Sequence, residues 1–202
     1  VGGGASFLVG AVPGGAGKTT VMAALLNFVP ADVQLAAADS LATIQQGAKS
    51  GHPRRCYICH EIGHGSYYAY LWGEELRAYF DLPATGHMLA SNLHADTYRQ
   101  TRRQIVDECG VPAEALRRMN LMYFLSARGG QRRIERVRES DGTGEHKLVY
   151  VANTGTTPAK NSALVTERQI DAARRNVEKL LTSGARTIEE VRSAVLELRG
   201  EA

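Results

Sequence analysis

No stretch of the sequence approaches the roughly 20 consecutive apolar residues that cross a bilayer, so no membrane-spanning helix is expected. A secretory signal is also missing, which points to a cytoplasmic chain. Neither sign of charge dominates. The 24 basic side chains exceed the 21 acidic ones by only +3, and the two interleave along the C-terminal half, so nucleic acid is not an expected partner. Cysteine is scarce and odd in number, three in all, as suits reduced thiols rather than a disulfide framework. Internal repeats and low-complexity tracts are absent. What remains is an ordinary apolar share of 44% over 202 residues, enough for one sizeable α/β domain and a small appendage.

Short apolar runs alternate with helical patterns along most of the chain. Ser6–Val12, Val33–Ala38, Cys56–Cys59, His87–Leu93 and Leu121–Leu125 read as buried strands. Val21–Phe28, closed by Pro30, Tyr67–Leu82 and Asp96–Cys109 read as helices. That alternation predicts a mostly parallel sheet covered on both faces. From Gln131 to Val151 the period becomes that of a half-solvated β-hairpin turning at Asp141–Gly142. Asn153–Asn161 is a polar linker, and two amphipathic helices follow. The second opens with a capping box, Thr187 and Glu190, and Ile170, Val177, Leu180, Ile188, Val191 and Val195 form apolar stripes expected to pack on the core.

Between the first strand and the first helix lies Gly14-Gly15-Ala16-Gly17-Lys18-Thr19-Thr20. A phosphate-binding loop needs small residues so that consecutive amides converge on oxygens, a lysine as a point charge, and a hydroxyl for Mg²⁺. Gly14, Gly15, Ala16 and Gly17 meet the first need, Lys18 the second and Thr19 the third, and Thr20 opens the helix whose N-terminus adds positive potential. The motif's first glycine is Val12 here. Lys18 is expected to be exposed.

The stretch Cys56-Tyr57-Ile58-Cys59-His60-Glu61-Ile62-Gly63-His64 fits four exclusive patterns. Cys56, Cys59 and His60 spell a haem c attachment site, and His60, Glu61 and His64 a zinc-protease helix. Cys56, Cys59 and His64 spell three ligands of a zinc knuckle whose fourth would fall at Ala69. The fourth reading is an apolar strand ending in Glu61, the place where a phosphate-loop ATPase holds its water-activating carboxylate. Only this reading uses Gly14–Thr20, and it is favoured. It leaves Cys56 and Cys59 as core residues.

Downstream, Thr85–Thr97 reads TGHMLASNLHADT, with His87 and His94 framing an apolar strand. With this box, the chain resembles the secretion-superfamily ATPases, which power type II and type IV secretion and pilus movement. VPAEALRRMNLMYFL, the basic hairpin and the two closing helices are similar to the archaeal-type branch. The resemblance implies a RecA-like P-loop NTPase core with a mostly parallel sheet, a β-hairpin extension and two C-terminal helices. It divides the chain into a nucleotide-binding core at 1–152, a linker at 153–161 and a helical extension at 162–202. It implies ATP and Mg²⁺ at Lys18 and Thr19, Glu61 as catalytic carboxylate and Asp39 as the remnant of an acidic box. His87 and His94 become a nucleotide-sensing pair, both expected on the C-terminal rim of the sheet or at a subunit boundary. Members form hexameric rings at the cytoplasmic face of a membrane and push on a membrane platform protein. The departures, Val12, Ala38 in place of the acidic-box glutamate, His60 and Gly63, keep open a regulatory protein that binds nucleotide without fast hydrolysis. A zinc protein using Cys56, Cys59, His60 and His64 is a third reading.

Overall fold

The computed structural model describes residues 3–12, 14–49, 53–152, 154 and 162–200. The expected linker therefore lies, apart from Thr154, outside the described residues. Among the described residues, eight strands and seven α-helices make a mixed α/β structure around one mostly parallel sheet.

The apolar, glycine-bounded run after Ser6 forms β1 (Phe7–Gly10), buried throughout, and the turn that follows feeds α1 (Lys18–Leu26). Next come β2 (Gln34–Ala37), α2 (Leu41–Ala48), β3 (Arg55–Ile62) and the two-residue β4 (Tyr70–Leu71). α3 (Gly73–Asp81) is followed by a 3₁₀ turn, β5 (Met88–Leu93), α4 (Tyr98–Arg102) with a π-helical continuation to Glu108, and α5 (Ala113–Arg117). β6 (Leu121–Arg128), β7 (Gln131–Glu139) and β8 (Lys147–Val151) precede α6 (Glu167–Thr182) and α7 (Ile188–Arg199).

The order across the sheet is β2-β3-β5-β1-β6-β7-β8, parallel from β2 to β6 and antiparallel from β6 to β8. β1 is thus central, with β5 and β3 on one side and β6 and β7 on the other. The C-terminal ends of the parallel strands share one rim, where ligands of open α/β sheets bind. One sheet face packs Ile44, Leu76, Tyr79, Phe80 and Ile105 from the helices, and the other packs α1 through Met22.

Three expectations change. The helix expected over Tyr67–Leu82 begins only at Gly73, because Tyr70 and Leu71 pair with Glu61 and Ile62 as β4. α2 was not foreseen; its cap is Ser40, whose hydroxyl accepts from the Thr43 amide at 3.2 Å. The apolar stripes of the C-terminal helices close only in part: Val195 is buried, but Val177 is 43% and Ile188 68% exposed. Both helices carry capping boxes, at Thr166/Gln169 and Thr187/Glu190. What ties α7 down is polar. Arg192 donates to the carbonyls of Asn27, Val29 and Pro30, and Arg199 to that of Phe28 at 3.1 Å, so both arginines satisfy the carbonyl end of α1.

Candidate functional site

The turn from β1 to α1 is shaped by Gly17, whose φ of 94° lies in the left-handed region that a side chain would strain. Among the described residues no side chain caps α1 and no acid stands in its first turn, so its N-terminal amides have no side-chain acceptor there. A methyl placed on Gly14 would meet nothing within 4 Å, so the loop backbone is open to close approach. Thr19 and Thr20 are exposed, as is Val12.

Lys18 is not exposed as expected. Its side chain is only 11% accessible and bends across the rim of the sheet, with Nζ 3.5 Å from Glu61 Oε2 and 3.4 Å from His94 Nε2. His94 Nε2 is itself 3.9 Å from the same carboxylate oxygen. Residues 76 positions apart thus meet at the ends of β1, β3 and β5. The backbone holds them there: the Ala11 amide donates to the Leu93 carbonyl at 3.2 Å, and Gln104 Nε2 to the His94 carbonyl at 3.0 Å.

Glu61 owes its direction to an irregularity in β3. Between Cys59 and Ile62 the register on β5 advances by two residues while β3 uses three, a bulge of one residue. Cys59 and Ile62 therefore both pack into the same apolar cluster, which simple alternation forbids, and His60 and Glu61 occupy the bulge. Glu61 is buried and its Oε1 has no hydrogen-bond partner among the described residues. Burial pushes its carboxyl above the usual range, against the pull of the Lys18 ammonium, then His94 and His60. Beside it the Asn92 amide donates to the His60 carbonyl at 3.0 Å, and Asn92 Oδ1 is likewise without a partner there.

His87 is not part of this cluster, which corrects its expected place. β5 separates it from His94, putting His87 at the N-terminal edge of the sheet, about 23 Å away at strand spacing. There it is buried, accepting from the Arg55 amide at Nδ1 (3.1 Å) and lying 3.1 Å from the Gly47 carbonyl through Nε2. A ring held by backbone groups at both nitrogens is in a structural position. Asp39, just past β2, is exposed and three strands from β1, about 14 Å by strand spacing, and joins no ion pair of the site among the described residues. Ala38 beside it is fully buried.

The cysteine-based readings fail on geometry. Cys56 packs into the cluster on the α1 face and Cys59 into that on the other, so the sheet stands between the two sulfurs. Burial raises the Cys56 thiol to about 12 and Cys59 higher still, keeping both protonated. His60 and Glu61 lie on a strand rather than the helix a zinc protease needs, and exposed His64 stacks on Trp72 with ring centroids 4.1 Å apart. Among the described residues no group of three or more His, Cys, Asp or Glu is placed to hold a metal ion.

A feature absent from the sequence reading is Arg132 on β7. Its Cδ lies 3.8 Å from where a Cβ on Gly17 would stand, and with Thr20, Val21, Leu125 and Ile134 it lines a cavity of about 260 Å³ beside the glycine turn. Only the antiparallel return of β7 onto β6 brings it there, a long-range pairing with no local signal.

No protein-family model matches the chain, and no curated protein matches its sequence. No helix among the described residues is long and apolar enough to cross a membrane. Among solved structures, the chain is similar to the VirB11 ATPase of the Brucella suis type IV secretion system in complex with sulphate, at 17% identity and a TM-score of 0.49. That match covers 68% of this chain and 51% of the other, so the chain spans about half the length of that protein.

Proposed function

We propose that the chain binds a nucleoside triphosphate, ATP in the first instance, at Gly14–Thr20 and hydrolyses it with Glu61 as the base. The observation that carries this reading is the convergence of Lys18, Glu61 and His94 at the rim where the glycine turn enters α1. Lys18 supplies the charge for the terminal phosphates. On binding, its ammonium exchanges the Glu61 carboxylate for phosphate oxygens, which frees Glu61 to orient and deprotonate water. A carboxyl already raised by burial is a stronger base than a solvated one, closer to what a general base at neutral pH requires. His94, within reach of both partners, reports on that exchange.

The residues present fit a divalent cation: the Thr19 hydroxyl is exposed in the first turn of α1, and Glu61 Oε1 is an acceptor with no partner. Bound there, Mg²⁺ would neutralise charge on the phosphates.

The wider role rests on the resemblance of Thr85–Thr97 to the secretion-superfamily box. On it we read the chain as a motor subunit of a type II or type IV secretion or pilus-type system. It would be built from a RecA-like core at 1–152, a linker at 153–161 and a helical extension at 162–202. It would work as a hexamer at the cytoplasmic face of a membrane, against a platform protein. The buried Ala38 favours a second reading, a regulatory nucleotide binder, because it leaves no acidic-box glutamate at the end of β2. Steady-state ATPase measurement beside sedimentation separates the two. The motor reading expects turnover in a ring-sized particle, and the regulatory reading expects binding without it. ATP binding that survives Lys18→Ala would refute both.

A further inference from the structure

The polyphosphate reading orients the rest of the nucleotide. Lys18, Glu61 and His94 lie on the β5 side of β1, so a chain of phosphates whose terminal group faces them emerges from the glycine turn on the other side, toward β6 and β7. On that side is the cavity of about 260 Å³ under Arg132. Besides the glycine turn and the two arginines, Arg132 and Arg133, its lining suits a flat ring: Val21, Leu125 and Ile134 give an apolar floor and Thr20 a hydroxyl at the edge. Among the described residues the Arg132 side chain makes no hydrogen bond or ion pair, whereas the neighbouring Arg133 is held by Glu135 at 2.9 Å. An exposed guanidinium with no side-chain partner among the described residues, beside the positive end of α1, is free to face a group of negative charge or π-electron density.

We propose that Arg132 closes over the nucleobase of the bound nucleotide, so that the β6–β7 hairpin serves as the nucleoside clamp of the same site. The proposal rests on the nucleotide reading above. It also specifies selectivity. Among the described residues no carboxylate, amide or lysine side chain lines this cavity, so no side chain there accepts from the amino and imino groups of guanine or reads the edge of adenine. Stacking on a guanidinium accepts either purine. The site therefore distinguishes a nucleotide from bare polyphosphate but barely distinguishes ATP from GTP.

The test is equilibrium binding of ATP, GTP and inorganic tripolyphosphate, each with Mg²⁺, to the full chain and to Arg132→Ala and Lys18→Ala. Arg132 is exposed and its side chain has no partner among the described residues, so its variant is expected to fold, which thermal melting checks. ATP and GTP should bind the unmodified chain within about threefold of each other, and tripolyphosphate about tenfold more weakly. Arg132→Ala should weaken both nucleotides about tenfold and leave tripolyphosphate unchanged, whereas Lys18→Ala should weaken all three. If Lys18→Ala abolishes binding but Arg132→Ala leaves ATP untouched, Arg132 is a solvated hairpin residue and the clamp is wrong while the nucleotide reading stands. If Arg132→Ala weakens tripolyphosphate as much as ATP, the arginine binds phosphate and the clamp is again wrong. A chain that binds none of the three refutes the clamp and the nucleotide reading together.

Discussion

Replacing Glu61 by glutamine should make the protein more stable and a far slower enzyme, and the two effects have one cause. Glu61 is a buried carboxylate with one oxygen 3.5 Å from Lys18 and the other unpartnered. A buried acceptor left unsatisfied costs about 1–3 kcal/mol, and more when it is ionised. Glutamine keeps the size without the charge, but it leaves Lys18 without its carboxylate. Lys18 can swing its flexible stem outward, so we expect a net gain of about 1 kcal/mol, or 2–4 °C in melting temperature for a chain of this length. The pH dependence identifies the cause. Burial raises the carboxyl in the folded protein above its unfolded value. The wild-type contribution from the neutral carboxyl is therefore complete below the unfolded pKa and lost as pH rises through the folded one. Glutamine does not titrate. The variant should match the wild type in acid and gain on it as pH rises past the usual carboxylate range. Turnover should fall about 10²- to 10⁴-fold with ATP affinity kept. Melting curves from pH 4 to 8 beside a steady-state assay measure both. A variant less stable than wild type at pH 8, or one that turns over at the wild-type rate, would refute the reasoning.

The two histidines should separate cleanly. His94→Ala should lower turnover with little change in melting, and His87→Ala should lower stability by about 1–3 kcal/mol, through the buried groups it leaves unpaired, at unchanged turnover per folded molecule. Equal loss of turnover in both would return His87 to the site. The double change Cys56→Ala, Cys59→Ala should cost about 1 kcal/mol per site from packing, and mass spectrometry under native conditions should find no metal lost with it. Stoichiometric zinc that disappears in the variant would overturn the assignment of β3. Arg192→Ala should destabilise by about 1–3 kcal/mol, since the carbonyls of Asn27, Val29 and Pro30 lose a shared donor, without altering ATP affinity. A loss of nucleotide binding there would make α7 part of the site.

Local chemistry was legible in the sequence. Glycines at 14, 15 and 17 before Lys18 specify a turn into a helix whatever surrounds them, and Thr187 with Glu190 closes a capping box within four residues. The apolar runs around Leu8 and Leu89 announced the inner strands, because a parallel strand buried on both faces shows no alternation. Even the distance between His87 and His94 was implicit, since residues at opposite ends of one strand cannot share a rim. Tertiary structure decided the rest. The bulge at Cys59–Ile62 exists only in register with β5, β4 forms only where β2 ends and leaves an edge of β3 unpaired, and Lys18 is screened only because β3 and β5 bring Glu61 and His94 to it. Arg132 reaches the glycine turn because β7 pairs back on β6. Caps and turns are settled by neighbours a few bonds away, whereas a buried charge and its partners are set by strand order and register, to which residues distant in the sequence contribute together.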